Sequence, residues 1–168
     1  MEYIIFRLLR LIGREIEMYE DLYSCLSTQH DKILRGDVLD LLENITDQDD
    51  MLNVISDIER DIKEEIFELS NLLKIKTDEP NINDIVEALS NKYPKICGFF
   101  IDRSIKIDDL LAKIGQTNSQ NLSLLKNSDT IWKDIMPLLN AWKEFEPWWE
   151  NKTDKIDIEK PIYEFNYN

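Results

Sequence analysis

The chain has 168 residues, 43% apolar and 10% aromatic, enough for one domain with its own core and too apolar for wholesale disorder. Acidic residues outnumber Lys and Arg by 34 to 20, giving a formal net charge of −14 and a pI near 4.5. That field repels phosphate backbones and anionic lipid surfaces, so no nucleic acid is expected as a partner.

Only four glycines and five prolines stand among abundant Leu, Ile, Glu, Asp and Lys, which predicts an all-α protein with few tight turns. Met1 to Ile12 is apolar but interrupted by Arg7 and Arg10 and lacks a small-residue cleavage site. It reads as neither a signal peptide nor a spanning helix, so a cytoplasmic protein without stable membrane insertion is expected. Cys25 and Cys97 are too few and too far apart for a disulfide framework or a metal motif, and two reduced thiols are expected.

The first segment repeats apolar residues at heptad spacing. Leu9, Ile16, Tyr23 and His30 occupy one position, and Ile5, Ile12, Tyr19, Leu26 and Ile33 the other. A helix from about Glu2 to Leu34 follows, ended by Arg35-Gly36-Asp37, with Gly suited to the left-handed position after a helix and Asp to the next N-cap. Arg7, Arg10 and Arg14 share one face of this helix, either as a solvent-facing basic strip or to meet an acidic partner.

Val38 to Leu73 carries the strongest periodicity, with Val38, Leu41, Ile45, Gln48, Leu52, Ile55, Glu59, Ile62, Ile66, Leu69 and Leu73 alternating spacings of three and four. At about 1.5 Å per residue this helix is roughly 54 Å long and needs a long partner, which the first helix supplies as the other arm of an antiparallel, coiled-coil-like hairpin. The polar run Thr46-Asp47-Gln48-Asp49-Asp50 marks an expected break or kink.

Lys74 to Asn81 reads as a loop, and Asn81 with Asp84 three residues later as the start of a short helix through Ile82, Ile85, Val86 and Leu89. Pro94 ends that piece or begins the next. Phe100, Arg103, Ile107, Leu110, Ile114, Thr117, Asn121 and Leu124 then define a third long helix packed along the hairpin, whose polar members are expected to fix register.

Beyond Leu125, Asn127-Ser128-Asp129 resembles a helix start before Ile131, Trp132, Ile135, Leu138, Leu139 and Trp142, with Pro137 bending it. All four tryptophans lie between positions 132 and 149, so this amphipathic C-terminal segment either docks on its own bundle or binds another protein. The organisation expected is a scaffold over 1–126, a Trp-rich segment over 127–150 and a tail over 151–168, where Ile156 and Ile158 suggest a short extended piece.

No catalytic constellation forms. His30 is the sole histidine, and its place on a helix seam suits a packed or hydrogen-bonded imidazole. Zinc-protease, P-loop, nucleophile-elbow and dinucleotide-binding patterns are missing from the sequence, and Asp47, Asp49 and Asp50 lack the glycine and terminal glutamate of a calcium loop. The expectation is a non-enzyme without cofactor or metal, recognising protein.

The sequence resembles the FlgN-type flagellar export chaperones. The likeness runs from Glu17-x-Tyr19 and Leu22, through Gly36-Asp37 with Leu41 and Leu42 and the acidic stretch before Leu52, to Asn118-Ser119-Gln120-Asn121-Leu122-Ser123-Leu124-Leu125. That last stretch is similar to the family's N-x-x-N-x-x-L-L, carried by Asn118, Asn121, Leu124 and Leu125. The resemblance implies a cytosolic chaperone that holds the hook-filament junction proteins and delivers them to the flagellar type III export gate. It also implies client contact by the segment after the paired asparagines, here Ile131, Trp132, Ile135, Leu138, Leu139 and Trp142. Where many members carry a Thr-Tyr-Gly-like motif associated with gate engagement, this chain has Pro161-Ile162-Tyr163-Glu164-Phe165, leaving Tyr163 as the candidate gate contact. The competing expectation is a structural helical bundle whose Trp-rich end packs on itself or on an identical subunit; which client is held and whether the chain dimerises stay open.

Overall fold

The computed structural model describes residues 1–127. The amphipathic segment from residue 128 onward and the tail, with Ile131, Trp132, Ile135, Leu138, Leu139, Trp142 and Tyr163, lie outside the described residues. Within them the protein is all-α, 88% helical, with four helices and no strands. The helices are α1 (Glu2–Arg35), α2 (Val38–Leu73), α3 (Ile82–Leu89) and α4 (Pro94–Asn127). The long helices match the periodic segments, and Pro94 begins α4, where its missing N–H leaves no hydrogen bond unmade.

The turn between α1 and α2 follows the chemistry of its residues. Gly36 is left-handed at φ 71°, and the Gly36 and Asp37 N–H groups close back on the Ile33 and Lys32 carbonyls at 3.1 and 3.2 Å. This is a Schellman motif, and Gly36 takes its conformation without steric cost. Asp37 then caps α2, its Oδ1 accepting from the Asp40 N–H at 3.4 Å. Asn81 opens α3 with a capping box: its side chain accepts from the Asn83 and Asp84 N–H groups at 2.8 and 3.2 Å, while Asp84 Oδ2 accepts from the Asn81 N–H at 2.9 Å.

The described residues form two compact units, one of residues 1–21 and 50–111, the other of residues 22–49 and 112–127. In the first, Ile5, Leu8 and Ile12 of α1, Ile62, Ile66 and Leu69 of α2, Ile85 and Leu89 of α3 and Phe100 and Ile107 of α4 are buried. Arg7 pairs with Glu65, and the Tyr19 hydroxyl donates to Glu59 Oε1 at 2.9 Å, so α1 and α2 run antiparallel. Arg103 donates to the Leu9 carbonyl and Lys106 pairs with Glu20 at 2.6 Å, which sets α4 parallel to α1. In the second unit, Ile33 of α1, Leu41 of α2 and Leu125 of α4 form a buried cluster, flanked by Val38, Ile45 and Leu124. Full burial of each such side chain is worth roughly 1.5 to 3 kcal/mol.

The expected break in α2 is not there: the helix is continuous through Thr46 to Asp50. The three aspartates point to solvent, Thr46 returns its hydroxyl to the Leu42 carbonyl at 3.1 Å, and Gln48 donates to Asn44 Oδ1 at 2.7 Å. Each polar side chain thus finds water or a partner one turn back and leaves the backbone ladder intact. A second difference lies in α1, where Leu8, Glu15, Leu22 and Gln29 are buried beside the expected seam of Ile5, Ile12, Tyr19, Leu26 and Ile33. Helix α1 is contacted by both α2 and α4, so it buries a wider stripe than a two-helix seam requires.

Candidate functional site

The N-x-x-N-x-x-L-L stretch falls on the last turns of α4, in the second unit. Asn121 is 1% exposed, in a place where an amide must find partners for its N–H groups. Its Nδ2 donates to the Leu26 carbonyl at 2.8 Å and to Gln29 Oε1 at 2.9 Å. With the amide nitrogen so used, Oδ1 is the acceptor for His30 Nδ1–H at 3.2 Å, which fixes the histidine tautomer. Three residues of α1 therefore converge on one amide of α4 and set the register of the two helices. His30 is a hydrogen-bonded imidazole, as its seam position suggested.

One turn further, Leu125 closes over Ile33 and Leu41, with Leu124 packed at the edge of that cluster. Asn118 is only half-buried and stands a turn before the contact. The four motif residues thus divide: Asn121, Leu124 and Leu125 tie α4 to the α1–α2 turn region, and Asn118 takes no part in that cluster. From there two residues lead to Asn127, the last described residue of α4.

A second polar cluster in this unit has no counterpart in the sequence reading. Asn44 of α2 is buried, and its Nδ2 reaches the Cys25 carbonyl at 3.1 Å, Cys25 Sγ at 3.0 Å and Thr28 Oγ1 at 3.3 Å, while Oδ1 accepts from Gln48. Burial, then the nearby Asp47 carboxylate, push the Cys25 thiol above its ordinary pKa, and burial does the same for Cys97. Both cysteines are free and held as thiols, the less reactive form. A polar residue inside an apolar heptad looks like surface in one dimension, so Asn44 gives no signal until α1 is packed on α2, nor Gln29 until α4 is placed.

In the first unit, Arg7 turns from the basic strip to pair with Glu65, a carboxylate 3% exposed whose Oε2 has no hydrogen-bond partner. Burial raises the Glu65 pKa against the lowering effect of Arg7. Arg10 and Arg14 stay exposed.

Neither cluster supplies a nucleophile with a base, and among the described residues no group of three His, Cys, Asp or Glu side chains is placed to hold a metal ion. A shallow groove of about 230 Å³ is lined by Thr28, Asp31, Lys32, Arg35, Asp37 and Asp40, a mixed-charge surface in which Lys32 Nζ already donates to the Asp40 carbonyl at 3.1 Å. No described helix is long and apolar enough to cross a membrane. No protein-family model, curated protein or solved structure matches the chain.

Proposed function

We propose that the protein is a cytoplasmic, non-enzymatic export chaperone that binds hook-filament junction proteins and brings them to the flagellar type III export gate. The observation that carries this reading is the setting of Asn121, Leu124 and Leu125. They anchor the last described turns of α4 to α1 and α2, and the sequence reaches Ile131 four residues after Asn127. Rigid presentation lowers the ordering cost of binding for a segment that follows immediately.

The binding segment is Ile131, Trp132, Ile135, Leu138, Leu139 and Trp142, in helix-in-groove recognition of a client helix. Each buried Trp or Leu contributes roughly 1.5 to 3 kcal/mol, so three or four anchors give micromolar affinity after entropic costs. Tyr163 is the candidate for the gate contact. Calorimetry of the full chain with the helical C-terminal segment of a junction protein is expected to give saturable one-to-one binding. Absence of heat and of co-purification would overturn the assignment.

The second reading, a structural bundle with a self-packed Trp-rich end, is favoured by the same tryptophan density. It predicts blue-shifted Trp emission that does not respond to client, whereas a chaperone's emission shifts on client addition.

A further inference from the structure

In the first unit the outward faces of α1 over residues 3–14 and of α2 over residues 57–68 carry opposite charge. On α1, Tyr3, Phe6, Arg10 and Arg14 follow at helical spacing and are all exposed, Tyr3 at 71% and Phe6 at 67%. Arg10 and Arg14 enter no ion pair with a described residue. On α2, Asp57, Asp61, Glu64 and Glu68 form an exposed acidic row in which Arg60 pairs with Asp57 at 2.8 Å and Asp61 at 3.6 Å. Phe67, 56% exposed, stands beside that row.

We propose that this face binds a second copy of the chain in a two-fold symmetric dimer, α1 of each copy lying over α2 of the other. The residues of the two faces stand at matching heights. Arg7 pairs with Glu65 across two antiparallel helices of equal rise, so positions whose numbers add to about 72 lie level. A two-fold axis parallel to the helices preserves height. It brings Arg10 of one copy level with Asp61 of the other, Arg14 with Asp57, Tyr3 with Glu68, and Phe6 with Phe67. Every pairing occurs twice, as an isologous interface requires.

The neighbouring rows also decide what kind of partner fits. A uniformly anionic surface that met Arg10 and Arg14 would collide with the carboxylates beside them, and a uniformly cationic one would meet the arginines. A second copy presents both signs in the matching order. The overall charge of −14 opposes association, but at physiological salt it is screened beyond about 8 Å. Within the face, Arg10, Arg14 and Arg60 nearly balance the four carboxylates, and the aromatic side chains supply the buried area that charge pairs alone do not.

Sedimentation equilibrium of the full chain at physiological salt tests the dimer. The wild type is expected to approach twice 20.0 kDa with rising concentration. Arg10→Glu with Arg14→Glu, or Asp57→Arg with Asp61→Arg, is expected to raise the dissociation constant by at least about tenfold. A chain carrying all four substitutions restores opposite signs in register and dimerises again, a recovery that misfolding would not produce; circular dichroism confirms that each variant is folded. A wild type that stays monomeric through high micromolar concentration overturns the proposal. So does an unaltered dimer in the Arg10/Arg14 variant, or a folded four-substitution variant that remains monomeric.

Discussion

Glu65 and Asn121 show how differently a buried polar side chain can be accommodated. The Glu65 carboxylate has Arg7 on one oxygen and nothing on the other, and burial holds its pKa above the ordinary range. A carboxyl whose pKa is raised by folding favours the folded state when protonated, and this contribution is lost as pH rises from the usual glutamate range through the folded value. Wild type should therefore lose stability relative to Glu65→Gln as pH climbs from roughly 4.5 toward neutrality. Chemical denaturation of both proteins across that interval checks the sign, and a wild type that gains on the variant contradicts it. Asn121, by contrast, has its amide N–H groups and its oxygen satisfied. Asn121→Ala should cost about 2 to 3 kcal/mol, because the change strips partners from groups that stay buried. Thermal unfolding measures this as a lowered midpoint.

At the scale of the element, helix ends are where single residues matter most. Gly36 and Lys74 occupy the same place, the left-handed residue after a helix, at φ 71° and 59°. Lys74 closes α2 as Gly36 closes α1: its N–H and that of Ile75 return to the Asn71 and Ser70 carbonyls at 3.2 and 3.0 Å. Only one of the two is glycine. Gly36→Ala should destabilise by about 1 kcal/mol and Lys74→Gly should stabilise by several tenths to about 1 kcal/mol, opposite signs at equivalent positions. Denaturation midpoints of the two variants decide it. The limits of α2 and α3 and the Asn81 cap were legible in the sequence because they rest on local chemistry that one dimension records: spacing, a Gly-Asp turn, an Asn with an Asp three residues on. The continuity of α2 was not legible, since Gln48 is stabilised by Asn44 and Asn44 by Cys25 of another helix.

For the whole molecule, an all-α hairpin with a third long helix followed from three periodic segments, the first two joined by a short turn. The width of the buried stripe on α1 did not, because Glu15 and Gln29 are polar and only the presence of helices on two sides puts them inside. The candidate site divides the same way. Asn121, Leu124 and Leu125 of the N-x-x-N-x-x-L-L stretch fix α4 in the second unit, and within the first unit Arg103 holds α4 to the Leu9 carbonyl. On this account the bundle is scaffold and client affinity resides in the segment that follows it. The direct measurement is calorimetric affinity for a junction-protein helix before and after Trp132→Ala with Trp142→Ala. Loss of two aromatic anchors should weaken binding by about a hundredfold or more while the helical content of the bundle is unchanged. Equal affinity in the folded variant would contradict the account and move the binding surface elsewhere on the molecule.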